Sequence, residues 1–74
     1  MKNYYERMKD LREDRDLLQK ELAEALDLTN QSAYQRYEAG KVQMPLTLLI
    51  KVAKFYNVST DYILGLTNDK RKFW

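Results

Sequence analysis

The sequence contains neither cysteine nor histidine. The first absence excludes disulfides and thiolate metal sites. The second removes the commonest metal ligand and general base. Glycine occurs only at Gly40 and Gly65, and proline only at Pro45, so there is no glycine loop to cradle a phosphate and no flexible linker. Repeats and low-complexity segments are also missing. The longest apolar run, Leu48-Leu49-Ile50, falls far short of the ~20 residues that span a bilayer. The opening MKNYYERMKD lacks the apolar stretch of a signal peptide. A cytoplasmic protein with no membrane partner is therefore expected. Every carboxylate falls on a polar helical face beside basic residues, so an enzyme is not expected, nor any metal or cofactor.

What is present suits one small folded domain. The chain has 74 residues, of which 45% are hydrophobic and 32% charged, a balance typical of globular proteins. A chain of this length buries only about 60% of its unfolded surface, so modest stability is expected. The net charge of +2 is only mildly basic, but it is unevenly placed. Residues 1–16 carry five positive and five negative charges. From Asn30 onward, Arg36, Lys41, Lys51, Lys54, Lys70, Arg71 and Lys72 face only Glu38, Asp61 and Asp69. The positive excess thus lies in the second half of the chain.

The most informative stretch is QKELAEALDLTNQSAYQRYEAG, from Gln19 to Gly40. Leu22, Ala23 and Leu26 mark one face of a short helix, with Lys20, Glu21 and Glu24 opposite. Asp27-Leu28-Thr29-Asn30 breaks that stripe with residues that favour turns. A second helix starts there, with Thr29 or Asn30 as its N-cap. Tyr34 and Tyr37 face inward, and Gly40 supplies the C-terminal stop. The outer face of this helix carries Gln31, Ser32, Gln35 and Arg36. None is acidic, and Gln and Arg have the donor and acceptor geometry to read base edges in a major groove.

The flanking segments read as three more helices. Residues 3–14 place Tyr4, Tyr5, Met8 and Leu11 on one face. Pro45 opens a helix where its missing N–H costs nothing, with Leu49, Val52, Ala53 and Tyr56 inward and Lys51 and Lys54 outside. Val58 packs inward. Ser59 caps a last short helix with Asp61 in its first turn, and Gly65 ends it.

Together these residues resemble the lambda-repressor-like, Cro-type helix-turn-helix domain of the Xre family. The matching positions are Leu11-Arg12, Gln19, Glu21-Leu22-Ala23, Leu26, Tyr37-Glu38-x-Gly40-Lys41, Pro45, Leu49, Ala53, Val58-Ser59 and Asp61-Tyr62-Ile63-Leu64-Gly65. The likeness runs from about Met8 to Leu66, and the ordered set is more specific than any one motif. Three features depart from the family. Asp27 stands where Gly or Asn is usual, and Leu18 replaces a capping Ser, Thr or Asn. The interval from Gln19 to Glu38 is one residue longer than the common spacing, and the extra residue is placed in the turn between Asp27 and Asn30.

The resemblance implies an all-α, compact five-helix fold, with residues 1–66 as the helix-turn-helix domain and 67–74 as a C-terminal tail. It also implies a sequence-specific DNA-binding transcriptional regulator, expected to be a repressor, that reads double-stranded DNA with its third helix. Gln31 would take adenine and Arg36 guanine, with Ser32 and Gln35 assisting. Asn30, Gln19 and Lys41 would hold the sugar-phosphate backbone, together with the start of the second helix. An Arg at position 12 pairs in this family with the Glu at the end of helix 3, here Glu38; a local partner such as Asp16 is the alternative. Gln19 likewise has two readings, a phosphate contact or half of a capping box with Asp16. An antitoxin or protein-interaction adaptor on the same fold, with a toxin or other protein as partner, is the second functional reading. Beyond Leu66, Lys70-Arg71-Lys72 is expected to be a frayed basic tail before a DNA contact, while Phe73 and Trp74 would cover the core or a partner. A homodimer on a palindromic site is expected, with Tyr62, Ile63, Leu66, Phe73 and Trp74 as candidate contacts.

Overall fold

The computed structural model describes residues 3–71. The regular elements among them are five helices: α1 Tyr4–Asp14, α2 Gln19–Ala25, α3 Gln31–Glu38, α4 Leu46–Tyr56 and α5 Thr60–Leu64. This is the all-α, five-helix architecture the sequence implies.

All five helices end in the same way. The N–H groups of Leu17, Leu28, Lys41, Val58 and Leu66 reach back to the carbonyls of Arg12, Ala23, Arg36, Ala53 and Asp61 over 2.9 to 3.1 Å. Each bond spans one residue with a left-handed backbone: Asp16 (φ 54), Asp27 (φ 58), Gly40 (φ 76), Asn57 (φ 60) and Gly65 (φ 80). This is the Schellman closure, which satisfies carbonyls the helix leaves unpaired. A Cβ disfavours that conformation, and Asp and Asn tolerate it better than other side-chain-bearing residues. A chain with two glycines therefore ends five helices by using Asp and Asn at the other three.

Asp16 is thus spent on ending α1 and does not cap α2. Leu18 is the N-cap of α2, and its own N–H donates to Glu21 Oε1 at 2.8 Å. Its side chain can accept nothing and is 64% exposed. Asn30 caps α3 by accepting from the Ala33 N–H at 3.0 Å. Ser59 caps α5 by accepting from the Tyr62 N–H at 3.0 Å. Pro45 is the N-cap of α4, one position before the helical start where the sequence places it.

The core takes most of the expected stripes, but Tyr4, Tyr5 and Tyr37 are only half-buried, and Ile63 joins it from α5. Met8, Leu11, Leu22, Leu26, Tyr34, Val52, Tyr56 and Ile63 are all buried to 2% exposure or less. Burying side chains of this size supplies roughly 1.5–3 kcal/mol each. Leu48 joins the stripe of α4, which is one position wider than the sequence suggests. Ile63 belongs wholly to this core, so it is unavailable as a dimer contact.

The segment after α5 is docked, not frayed, as far as Lys70. Arg7 on α1 donates to the Thr67 carbonyl (3.4 Å) and Asn68 Oδ1 (2.8 Å). The Ser59 N–H donates to the Lys70 carbonyl at 3.1 Å, and the Ser59 hydroxyl donates to the Asp69 carbonyl at 3.3 Å. The Tyr62 ring has the Arg7 guanidinium 4.4 Å from its centroid and the Lys70 ammonium 5.3 Å away. Tyr62 is therefore engaged within the fold. Arg71 is exposed and pairs with neighbouring Asp69 at 2.6 Å. Lys72, Phe73 and Trp74 lie outside the described residues.

Candidate nucleic-acid interface

The inner edge of α3 is held by a buried ion pair. Arg12 Nε lies 2.9 Å from Glu38 Oε2, and Arg12 Nη2 lies 2.9 Å from Glu38 Oε1. The Glu38 side chain is only 3% exposed and that of Arg12 13%. Arg12 Nη1 donates to the Leu17 carbonyl at 2.9 Å, so one guanidinium joins the end of α1 to the end of α3. The cross-helix partner, not Asp16, is the one the structure selects. Gln19 Nε2 donates to Glu38 Oε1 at 3.3 Å, which also ties the start of α2 to this carboxylate.

Burial alone would push the Glu38 carboxyl up. The hydrogen bonds from Arg12 and its other neighbours outweigh that and hold it below the usual carboxylate range. Burial pushes the Tyr34 hydroxyl up, with nearby Glu38 adding to the effect. Burial and Glu38 likewise push Tyr56 up, to about 12. The two hydroxyls are buried without a hydrogen-bond partner of good geometry among the described atoms. Both phenols stay neutral at ordinary pH.

The outer face of α3 is the opposite. Gln31, Ser32, Gln35 and Arg36 are exposed, and their side chains make no hydrogen bond or ion pair among the described residues. One shallow depression is lined by Ser32, Gln35, Arg36 and Ala39 of this helix and its C-cap, together with Lys41. A second is lined by Gln31 with Arg12, Leu18, Gln19 and Lys20. A third joins Asn30 and Gln31 to Lys20 and Glu24 of α2. The seven residues expected from the sequence all line these depressions around α3.

Three of them are less free than the sequence suggested. The Asn30 oxygen is occupied by its cap, leaving the amide donors. Gln19 is half-buried with one amide hydrogen on Glu38. Lys41 depends on a loop that α1 fixes. A Cβ on Gly40 would sit 2.7 Å from Tyr5 Cζ, so the turn before Lys41 lies directly against that ring. The Met44 N–H donates to the Tyr4 hydroxyl at 3.3 Å. The two tyrosines read as core residues are half-buried clamps on the 40–44 loop.

By helical period alone Lys20 shares a solvent face with Glu21 and Glu24. It is exposed, but it lines two of the depressions that contain Gln31. Only its place beside the following helix, which no single-helix pattern contains, reveals this. Among the described residues there is no cluster of carboxylates able to hold a metal ion, and no helix long and apolar enough to cross a membrane.

Comparison with known proteins agrees with this geometry. The sequence pattern of the helix-turn-helix family matches residues 8–63. The chain is 42% identical over 66 residues to the uncharacterized HTH-type transcriptional regulator YobD of Bacillus subtilis (strain 168), covering 89% of this chain and 58% of that protein. It is 36% identical over 66 residues to the HTH-type transcriptional regulator ImmR of the same organism, covering 89% and 51%. It is 37% identical over 63 residues to the SPbeta prophage-derived uncharacterized HTH-type transcriptional regulator YonR, covering 85% and 57%. The chain thus spans somewhat more than half the length of these curated relatives. No solved structure matches significantly. With five helices in the expected order, α2 and α3 forming the motif, and the family pattern covering most of its length, the chain belongs to the lambda-repressor-like, Cro-type helix-turn-helix family.

Proposed function

We propose that the chain binds double-stranded DNA in a sequence-specific manner and acts as a transcriptional regulator, as a repressor. The observation that carries this reading is the outer face of α3. Four hydrogen-bonding side chains stand exposed and unpartnered there, on a helix whose other face is locked into the core. An α-helix fits the major groove, and its Gln and Arg side chains suit adenine N6/N7 and guanine O6/N7. Gln31 and Arg36 are the readers, with Ser32 and Gln35 beside them. Asn30, Gln19 and Lys41 set the register on the phosphates. The names of similar proteins, HTH-type transcriptional regulators, support the regulator reading but not these residue roles.

One such helix covers only a few base pairs, so two copies on a two-fold site would supply the rest of the specificity. Ile63 is buried, whereas Leu64 and Leu66 are exposed and free to meet a second copy, as are Val42, Leu46, Ile50 and Phe55. Half-site centres should then lie about 34 Å apart. Selection of bound sequences from random duplexes, followed by sedimentation on the recovered site, tests both parts. Recovery of a palindrome bound by two chains is expected. A complex of one chain on a non-palindromic site would remove the dimer, and failure to enrich any sequence would remove the reading itself.

A further inference from the structure

Helices α3 and α5 open on side chains that accept a backbone N–H, Asn30 and Ser59. Helix α2 opens on Leu18, which has no acceptor to offer. A Ser or Thr at an N-cap stabilises a helix, and a leucine forgoes that gain. The Leu18 side chain is also 64% exposed. A lone exposed leucine is ordinary, but this one is set apart by its neighbours. It lines one depression with Gln31, the first residue of α3, and with Gln19 and Lys20 of α2. An apolar side chain therefore stands beside the residue assigned to adenine, at a position where a hydroxyl would serve the fold better.

The base edges of a major groove offer such a side chain one apolar partner, the C5 methyl of thymine. An adenine read by Gln31 has a thymine opposite it. We propose that Leu18 is a specificity-determining residue that packs on the C5 methyl of a thymine in, or directly beside, the base pair that Gln31 reads. This rests on the DNA-binding reading and extends base recognition to a residue outside α3. The Gln31 amide selects adenine by hydrogen bonds, and Leu18 adds recognition of a methyl group that no hydrogen bond can sense. The contact is made by the side chain alone, since the Leu18 N–H is already held by Glu21 Oε1 at 2.8 Å. No phosphate takes part, so the contribution of Leu18 should not vary with salt.

Replacing thymine by deoxyuridine removes the methyl and keeps the base pairing. Each thymine of the selected duplex is replaced in turn, and affinity is measured for the wild type, Leu18→Ala and Leu18→Ser. The wild type should lose about fourfold at the thymine in or beside the pair relaxed in Gln31→Ala, the effect of one buried methyl-sized group. Leu18→Ala and Leu18→Ser should bind the thymine and deoxyuridine duplexes equally at that position. Leu18→Ser should melt no lower than the wild type, which separates lost discrimination from a damaged fold. A wild type indifferent to the replacement, a loss that persists unchanged in Leu18→Ala, or a selected site with no thymine there overturns the contact, even while Gln31→Ala and Arg36→Ala still weaken binding. Absence of duplex binding by the wild type would instead overturn the DNA reading on which the contact rests.

Discussion

On its inner side α3 gives Tyr34 and Glu38 to the core, where both are at least 94% buried and Glu38 is gripped by Arg12 and Gln19. On its outer side Gln31, Ser32, Gln35 and Arg36 touch no protein partner. Eight residues thus carry two separate tasks. The inner edge fixes where the helix is, and the outer face is left open to a ligand. Substitutions on the two edges should therefore have effects that do not mix: inner changes lower stability, and outer changes lower binding alone.

The largest expected effect comes from breaking the inner grip from one side. Glu38→Ala or Arg12→Ala should cost about 3–5 kcal/mol, because the remaining partner is left largely buried and unpaired. Denaturant melting reads this directly, and a loss under about 1 kcal/mol would mean the pair is solvent-screened.

Acid makes the same break reversibly. The Glu38 carboxyl is held below its ordinary value, so its contribution is fully present above the unfolded carboxylate range near pH 4.3. That contribution is lost as pH falls through the lower, folded value. The stability gap between wild type and Glu38→Gln should be constant near neutrality and shrink below about pH 4. A gap that widens on acidification would reverse the assigned shift.

Gly40 tests the joint between the two faces. Gly40→Ala places a Cβ in a left-handed backbone, at a cost of about 1–2 kcal/mol, and drives it against the Tyr5 ring. Stability should fall by at least that amount. Tyr5→Leu in the same chain should recover part of the loss if the ring contact is real.

The smallest effect should come at Leu18, the exposed N-cap with no side-chain acceptor. Leu18→Thr should add up to about 1 kcal/mol. A clear loss on melting would show that the leucine is packed in some way its exposure does not suggest.

Much of this division was readable before any coordinates. The stripes Leu22-Ala23-Leu26 and Leu49-Val52-Ala53-Tyr56 follow from helical period alone, and Asn30, Ser59, Gly40 and Gly65 are local signals with local causes. The outer face of α3 was legible for the same reason. The misses are long-range or shared. Asp16 looked like the start of α2 because Asp serves both as N-cap and as left-handed closure, and only the Leu17-to-Arg12 bond decides between them. By its own helix Lys20 belongs to a solvent face, and Gln19 reads as a cap or a phosphate contact, whereas their neighbours are Gln31 and Glu38. Thr67 and Asn68 are held by Arg7, some sixty positions earlier, and no period or cap encodes a contact at that distance.

The central claim is that α3 reads DNA with a face the fold does not need. Its most direct test is the pair of variants Arg36→Ala and Gln31→Ala on the selected duplex. Each should lose about 1–3 kcal/mol of specific binding and relax the preference at one base pair, while melting as the wild type does. Wild-type affinity in both variants would contradict the account.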